Sequence, residues 1–316
     1  MRPAIPGIHH VTAIASDPQR NLDFYAGIIG LRLVKLTVNF DDPDTYHLYY
    51  GDAQGRPGSL LTFFHWPGMP GGRAGSRQVR NVSLSIPEGS SEFWVQRLQA
   101  HGILSEVRAR FGDEVISFSD PDRLRVELVA NQDDRELWTD SPVPAEHSIR
   151  GLHSVTLAEE ESGRTAAFLT AAMGFRGTNE SGGRTRFIAG RGGAGAIVDV
   201  ENLPGLAPGR IAPGSVHHVA FRTPDEPGQR EWRDEVGRAG LNVTPVIDRR
   251  YFHSIYFREP GGVLFEIATD GPGFAVDEPA AALGTRLMLP DWLEALRPQL
   301  EKSLPVLRLP VLVKRA

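Results

Sequence analysis

Short apolar, β-branched runs punctuated by Gly, Pro and Asp alternate along this chain with single amphipathic stretches, and the order of the two recurs. Residues 7–14 pattern as a strand, and from Asp17 onward Leu22, Phe24, Tyr25, Ile28 and Ile29 fall at helical spacing until Gly30, a residue suited to ending a helix. The runs 31–40, 46–51 and 59–65 are strand-like and separated by turn residues such as Asp41-Asp42-Pro43-Asp44. The pattern of this first unit predicts βαβββ.

Three further units follow the same order. In the second, a strand at 80–86 precedes a helix through Phe93, Trp94 and Leu98 that closes at Gly102, then strands at 107–111, 115–119 and 125–130. The third has a strand at 151–158, a helix at 162–172 and glycine-rich hairpins through residue 200. The fourth starts at His217, carries a helix around Trp232 and Val236 stopped at Gly240, and continues with strands at 243–247, 254–257 and 263–269. The fold class expected is α+β, built from four βαβββ modules. Asp140-Ser141-Pro142-Val143-Pro144 reads as the linker, giving an N-terminal domain of modules one and two (1–140) and a C-terminal domain of modules three and four (141–272). The tail, 273–316, contains a predicted helix at Asp291–Leu300 after Pro290 and is expected to pack, covering a sheet edge.

The opening strands of the modules share one frame. Gly7-Ile8-His9-His10-Val11-Thr12 matches Ser215-Val216-His217-His218-Val219-Ala220, and Val79-Arg80-Asn81-Val82-Ser83-Leu84 and Gly151-Leu152-His153-Ser154-Val155-Thr156 align with both. The closing strands of modules two and four align as well: Phe118-Ser119-Asp120-Pro121-Asp122-Arg123 and Phe257-Arg258-Glu259-Pro260-Gly261-Gly262 lead to Glu127 and Glu266. Because successive strand residues face opposite sides, His10, His218 and Glu266 can point inward together. Two imidazoles and a carboxylate with open positions suit non-haem Fe(II), and Mn(II) fits the same donors. Phe63 is read as module one's counterpart of Glu266, so no fourth protein ligand is evident. Modules two and three place Asn81 and Ser154 in the histidine slots and keep only Glu127, so one live site is expected, made by the first and last modules. His153 aligns with His9 and His217, outside the ligand slot. Lone strand histidines are ordinarily structural, the role expected of His47, His65, His101 and His147.

Composition narrows the chemistry. A chain of 316 residues with 41% hydrophobic and 23% charged residues can bury a substantial core. The formal charge of −5 and the lack of a long basic run argue against nucleic acid or an anionic membrane as partner, and favour a small molecule. The absence of cysteine removes disulfides, thiolate metal sites and cysteine nucleophiles, leaving any metal to histidine and carboxylate. No leader pattern and no apolar stretch near twenty residues is present, so a cytoplasmic location is expected. A homo-oligomer stays open. Gly190-Arg191-Gly192-Gly193-Ala194-Gly195 fits a nucleotide-binding glycine pattern, but Ala196–Val200 reads as a strand rather than a phosphate-binding helix. Asn81-Val82-Ser83 matches a glycosylation acceptor inside a strand, and no G-x-S-x-G elbow occurs.

These residues resemble the vicinal-oxygen-chelate superfamily, which includes glyoxalases, bleomycin resistance proteins and extradiol dioxygenases, over nearly the whole chain. Within it the chain is similar to the hydroquinone ring-cleaving dioxygenases of the dichlorohydroquinone 1,2-dioxygenase type. Tyr256-Phe257-Arg258-Glu259-Pro260-Gly261-Gly262, ending at Glu266, resembles the extradiol signature, in which a tyrosine precedes an acidic-Pro turn and the metal-binding glutamate. The catechol-cleaving form carries a histidine seven residues before that tyrosine; this chain has Arg249 there, as the hydroquinone-type enzymes do.

The resemblance implies two open-barrel domains, Fe(II) held by His10, His218 and Glu266, and a substrate and acid/base shell of His9, Thr12, His217, Arg249 and Tyr256. Elementary chemistry suits those roles: a permanently charged Arg249 can hold a phenolate, Tyr256 can donate a proton, and a near-neutral histidine can shuttle one. The expectation is a dioxygenase that opens a hydroquinone ring with O2, incorporating both oxygen atoms. Alternatives are catechol extradiol cleavage, a glyoxalase-type lyase or isomerase, which usually uses four protein ligands, and a non-catalytic binding module needing no metal.

Overall fold

The computed structural model describes residues 4–310, so the last residues of the tail lie outside the described residues. All four βαβββ modules are present. Module one comprises β1 (Ile8–Ala15), α1 (Pro18–Leu22), β2 (Arg32–Asn39), β3 (Asp42–Gly51) and β4 (Leu60–His65). Module two comprises β5 (Gln78–Pro87), α2 (Ser91–Ala100), β6 (Glu106–Arg110), β7 (Asp113–Ser119) and β8 (Arg125–Asn131). Module three comprises β9 (Gly151–Glu159), α3 (Ser162–Ala171), β10 (Arg176–Ser181), β11 (Arg184–Ile188) and β12 (Ile197–Asn202). Module four comprises β13 (Val216–Thr223), α4 (Glu226–Arg238), β14 (Ile247–Asp248), β15 (Phe252–Arg258) and β16 (Leu264–Pro272). The Gly190–Gly195 run is the turn between β11 and β12, not a phosphate loop.

Local chemistry explains the departures from the predicted boundaries. Asp17 caps α1 by accepting from the Arg20 amide at 2.8 Å, but the helix widens into a π turn over Asp23–Ile28 before Gly30 (φ 78°) ends it. Asn39 pairs with Asp42, so the β2–β3 turn is only Phe40-Asp41 and β3 starts earlier than expected. The strand predicted at 243–247 shrinks to two residues, since Pro245 has no amide to give a ladder. The tail helix sits later than predicted, as α5 (Arg297–Ser303), with Pro298 in its first turn, where a missing amide costs least.

The modules do not pair in chain order. One eight-stranded sheet runs β14-β15-β16-β13-β1-β4-β3-β2 and the other β10-β11-β12-β9-β5-β8-β7-β6. Modules one and four therefore share a curled sheet, as do modules two and three, so both sheets draw strands from each side of the boundary expected at 140/141. The chain leaves the first sheet after β4 and returns before β13, and the two crossing segments hydrogen-bond to each other: Arg73 and Arg210 exchange amide-to-carbonyl bonds of 3.1 and 2.9 Å. The segment expected to be a linker is packed instead. Val143 is buried and the Ser141 hydroxyl donates to the Gly30 carbonyl at 2.8 Å.

Alternation then sets the two faces. In the first sheet Val11, Ala13, Leu61, Phe63, Val219, Phe221, Phe265 and Ile267 join the main apolar core with the helices, where Trp94 of α2 and Trp232 of α4 are fully buried. His10, Thr12, Thr62, His218, Ala220 and Glu266 take the opposite, concave side. The tail lies along β2, the sheet edge, where the Met288 amide donates to the Leu36 carbonyl at 2.9 Å. Lys35, fully buried, anchors it through Asp277 (2.6 Å), Glu278 and the Phe274 carbonyl (3.2 Å).

Candidate metal centre

The central pairing of β1 with β13 is antiparallel and brings Thr12 opposite His218, while β16 lies parallel to β13 with Glu266 opposite Ala220. His10, His218 and Glu266 consequently meet although they come from opposite ends of the chain. The His10 and His218 Nε2 atoms are 3.2 Å apart, and Glu266 Oε2 lies 3.3 Å from the first and 2.9 Å from the second. All three side chains are buried, and together they form a group that could hold a metal ion.

Hydrogen bonding argues that the His10 donor atom is bare. His9 Nε2 faces the Thr269 carbonyl at 3.1 Å, and a carbonyl can only accept, so that nitrogen carries the proton. Burial keeps the His9 ring well below its ordinary pKa, hence neutral, and its Nδ1 must accept. His9 Nδ1 lies 2.9 Å from His10 Nδ1, which must then be the donor, so that the neutral form of His10, the form that can bind a metal, presents its Nε2 lone pair toward Glu266. Burial by itself would raise the Glu266 carboxyl, but His10 and His218 hold it well below the usual range. Its Oε1 accepts from Ser254 at 2.5 Å, whereas buried Oε2 has no hydrogen-bond partner. A lone pair facing an unpartnered carboxylate oxygen is what a divalent cation would satisfy, and nitrogen with carboxylate oxygen is a donor set suited to iron or manganese.

The group opens on a cavity of about 350 Å³. His10, Thr12, His217, His218, Arg249 and Tyr256 line it; His9 does not, and stands behind His10 as its hydrogen-bond partner. His217 Nδ1 meets His218 Nδ1 at 2.8 Å, and burial, then His218, lowers the His217 pKa to about 3. Arg249 donates from Nε to the Tyr256 hydroxyl at 3.2 Å and pairs through Nη1 with Asp41 at 2.9 Å, tying module four to the β2–β3 turn of module one. Burial and then Glu266 push the Tyr256 phenol above its ordinary pKa, so it keeps its proton at neutral pH. Among the described residues, larger clefts of about 700 and 1080 Å³ elsewhere contain no such convergence of ligand atoms.

Two register details and the place of one histidine differ from the sequence expectations. Thr62, not Phe63, occupies the slot matching Glu266, because Thr62 pairs with Thr12 as Glu266 pairs with Ala220. Phe63 points to the core, its ring 4.5 Å from Tyr25. Module three does keep a carboxylate: Asp199 lies opposite Thr156 as Glu127 lies opposite Ser83. In that second sheet guanidinium groups take up the carboxylates. Arg110 pairs with Glu127 at 2.8 and 2.5 Å, and Arg186 with Asp199 at 2.9 and 3.1 Å. His47, expected to be structural, lines the cavity with Tyr49 and Phe64. The signal for it was the alternation His47-Leu48-Tyr49 on a strand whose Leu48 faces the core.

Residues 7–128 and 151–267 match the model of the Glyoxalase/Bleomycin resistance protein/Dioxygenase superfamily, and the chain belongs to that superfamily. It is 43% identical over 299 residues to the "Putative ring-cleaving dioxygenase MhqO" of Bacillus subtilis (strain 168), covering 94% of this chain and 95% of that one. It is 34% identical over 313 residues to the chlorohydroquinone/hydroquinone 1,2-dioxygenase of Sphingobium indicum, covering 95% and 96%. A crystal structure of a "putative dioxygenase" from Bacillus subtilis superposes with a TM-score of 0.94 at 41% identity, covering 98% of this chain and 99% of the other.

Proposed function

We propose that this chain is an Fe(II)-dependent dioxygenase that opens a hydroquinone-type ring with O2, both oxygen atoms entering the product and no external reductant being consumed. The observation that carries this reading is the convergence of His10 Nε2, His218 Nε2 and Glu266 Oε2 on one cavity, in a chain whose full-length relatives are named ring-cleaving dioxygenases. His10, His218 and Glu266 would hold the iron, which when bound supplies adjacent open positions for the substrate hydroxyl and dioxygen and a route for electrons between them.

The surrounding residues do the rest. Neutral His217, partly buried beside His218, can accept a hydrogen bond from a ring hydroxyl as the ring binds. Arg249 stays charged and offers guanidinium hydrogens to a developing oxyanion. Tyr256, whose hydroxyl oxygen accepts from Arg249, keeps its own proton free to donate into the cavity. Tyr49, Phe64, Trp66 and Phe252 wall the space and exclude water from the reacting atoms. The test is iron content together with oxygen uptake against a panel of hydroquinones and catechols. Iron with uptake on hydroquinones supports the reading. Faster turnover of catechols would move it to extradiol cleavage, anaerobic activity on a hemithioacetal to a glyoxalase, and a metal-free, inactive protein to a binding module.

A further inference from the structure

The cavity has a polar wall that the roles above leave unused. On β3, His47 and Tyr49 share the concave face, with ring centroids 3.9 Å apart, and the His47 ring is 4.3 Å from Phe64. His47 Nε2 shares a 2.9 Å hydrogen bond with the Thr62 hydroxyl, which meets the Thr12 hydroxyl at 2.8 Å. Packing on two rings and this threonine pair fix the orientation of the imidazole. Among the described residues its Nδ1 has no hydrogen-bond partner, and it is not one of the fully buried unpartnered atoms, so it faces the cavity.

His47 also stands apart from the ligand atoms. In the sheet, β13, β1 and β16 carry the ligand set, β15 with Tyr256 lies on one flank, and β4 and β3 lie on the other. Because the sheet curls, residues of both flanks line the same cavity. Thr62 and Phe64 intervene between His47 and the ligand histidines, the Phe64 ring centroid being 6.4 Å from that of His218. A catechol directs both hydroxyls to one side, toward the ligand set. A para-dihydroxylated ring directs its second hydroxyl away from that set, toward the opposite part of the cavity, and His47 offers a fixed nitrogen on the wall apart from the ligand atoms.

We propose that His47 hydrogen-bonds the second hydroxyl of the bound ring, the one directed away from Glu266, and thereby selects para-dihydroxylated substrates. This rests on the ring-cleaving reading above. The test is anaerobic calorimetric titration of the iron-loaded protein with hydroquinone and with phenol, which lacks the second hydroxyl. For His47→Phe, which keeps the ring stack, hydroquinone binding is expected to weaken about 10- to 100-fold while phenol binding changes less than about twofold. His47→Gln, which can still hydrogen-bond, is expected to recover part of the loss. Equal weakening for both ligands, or none for hydroquinone, overturns the proposal. Should the Phe variant not fold, the wild type decides: no preference for hydroquinone over phenol and over hydroquinone monomethyl ether overturns it too. Oxygen uptake by the wild type is read separately, so that a protein with the predicted binding preference but no uptake would sink the parent reading alone.

Discussion

His10 and His218 are 208 positions apart in the chain, yet their Nε2 atoms stand 3.2 Å apart across the seam between β1 and β13. The pairing of the first and last modules brings them together, and the hydrogen-bond chain from Thr269 through His9 fixes the His10 proton on Nδ1, the side away from Glu266.

Replacing one of these imidazoles should separate metal binding from folding. His218→Ala is expected to lose iron and oxygen uptake together while retaining the wild-type circular dichroism spectrum, since the seam is held by backbone ladders rather than by the ring. Full iron in the purified variant, measured by elemental analysis, would show that His218 is not a ligand.

His9 is expected to act through His10 and not on the substrate. His9→Leu removes the acceptor that holds the His10 Nδ1 proton, so metal affinity should fall about 10- to 100-fold. Chelator competition reads this directly. An unchanged affinity combined with a loss of turnover would place His9 in proton transfer instead.

Lys35 ties the tail to the edge strand through two buried carboxylates. Lys35→Met keeps the stem but removes the nearest cation of both acids, which keep only Arg250 at 4.0 Å and Arg286 at 3.9 Å, and breaking such a buried pair costs about 3–5 kcal/mol. Urea denaturation should show a loss of that size, together with proteolytic cleavage after residue 273. A stability close to wild type would mean that the tail is held by its apolar contacts alone.

Asp120 predicts a pH dependence. Burial, with Asp122 adding, raises its carboxyl from an ordinary 3.8 to about 7, while its oxygens accept from the Leu124 and Asp122 amides at 2.8 Å and from the Tyr25 hydroxyl at 3.1 Å. The folded state thus holds a proton that the unfolded chain releases near pH 4. The resulting stability is full below about pH 4 and is lost as the pH rises through about 7. Asp120→Asn cannot ionise, so its urea midpoint should fall less than that of the wild type between pH 5 and 8. Parallel declines for the two proteins would rule this carboxyl out as the source.

Much of the site was legible because strand alternation is a local property. Once β1, β13 and β16 are recognised, the period of two puts His10, His218 and Glu266 on one face and Val11, Val219 and Phe265 on the other. The repeated frame also exposed Asn81 and Ser154 as substitutions in the second sheet. Where register had to be transferred between modules it slipped by one residue, placing Phe63 where Thr62 belongs, and Asp199, inside the strand expected at Ala196–Val200, carries no Pro-containing turn before it to align it with Glu127 and Glu266. His47 escaped as a single histidine with no repeat behind it.

The amino-acid pattern alone thus determined the modules, their order and the chemistry of the ligand slots, since all of these follow from side-chain periodicity and residue type. The ligand slots already required modules one and four to meet, but that they do so by joining β1 to β13 in one continuous sheet was decided only in three dimensions. Every opening strand presents the same free edge of amides and carbonyls, and a backbone edge carries no record of which other edge it will meet. That choice was made by the crossing segments joined at Arg73 and Arg210 and by the tail anchored at Lys35, contacts between positions far apart in the chain.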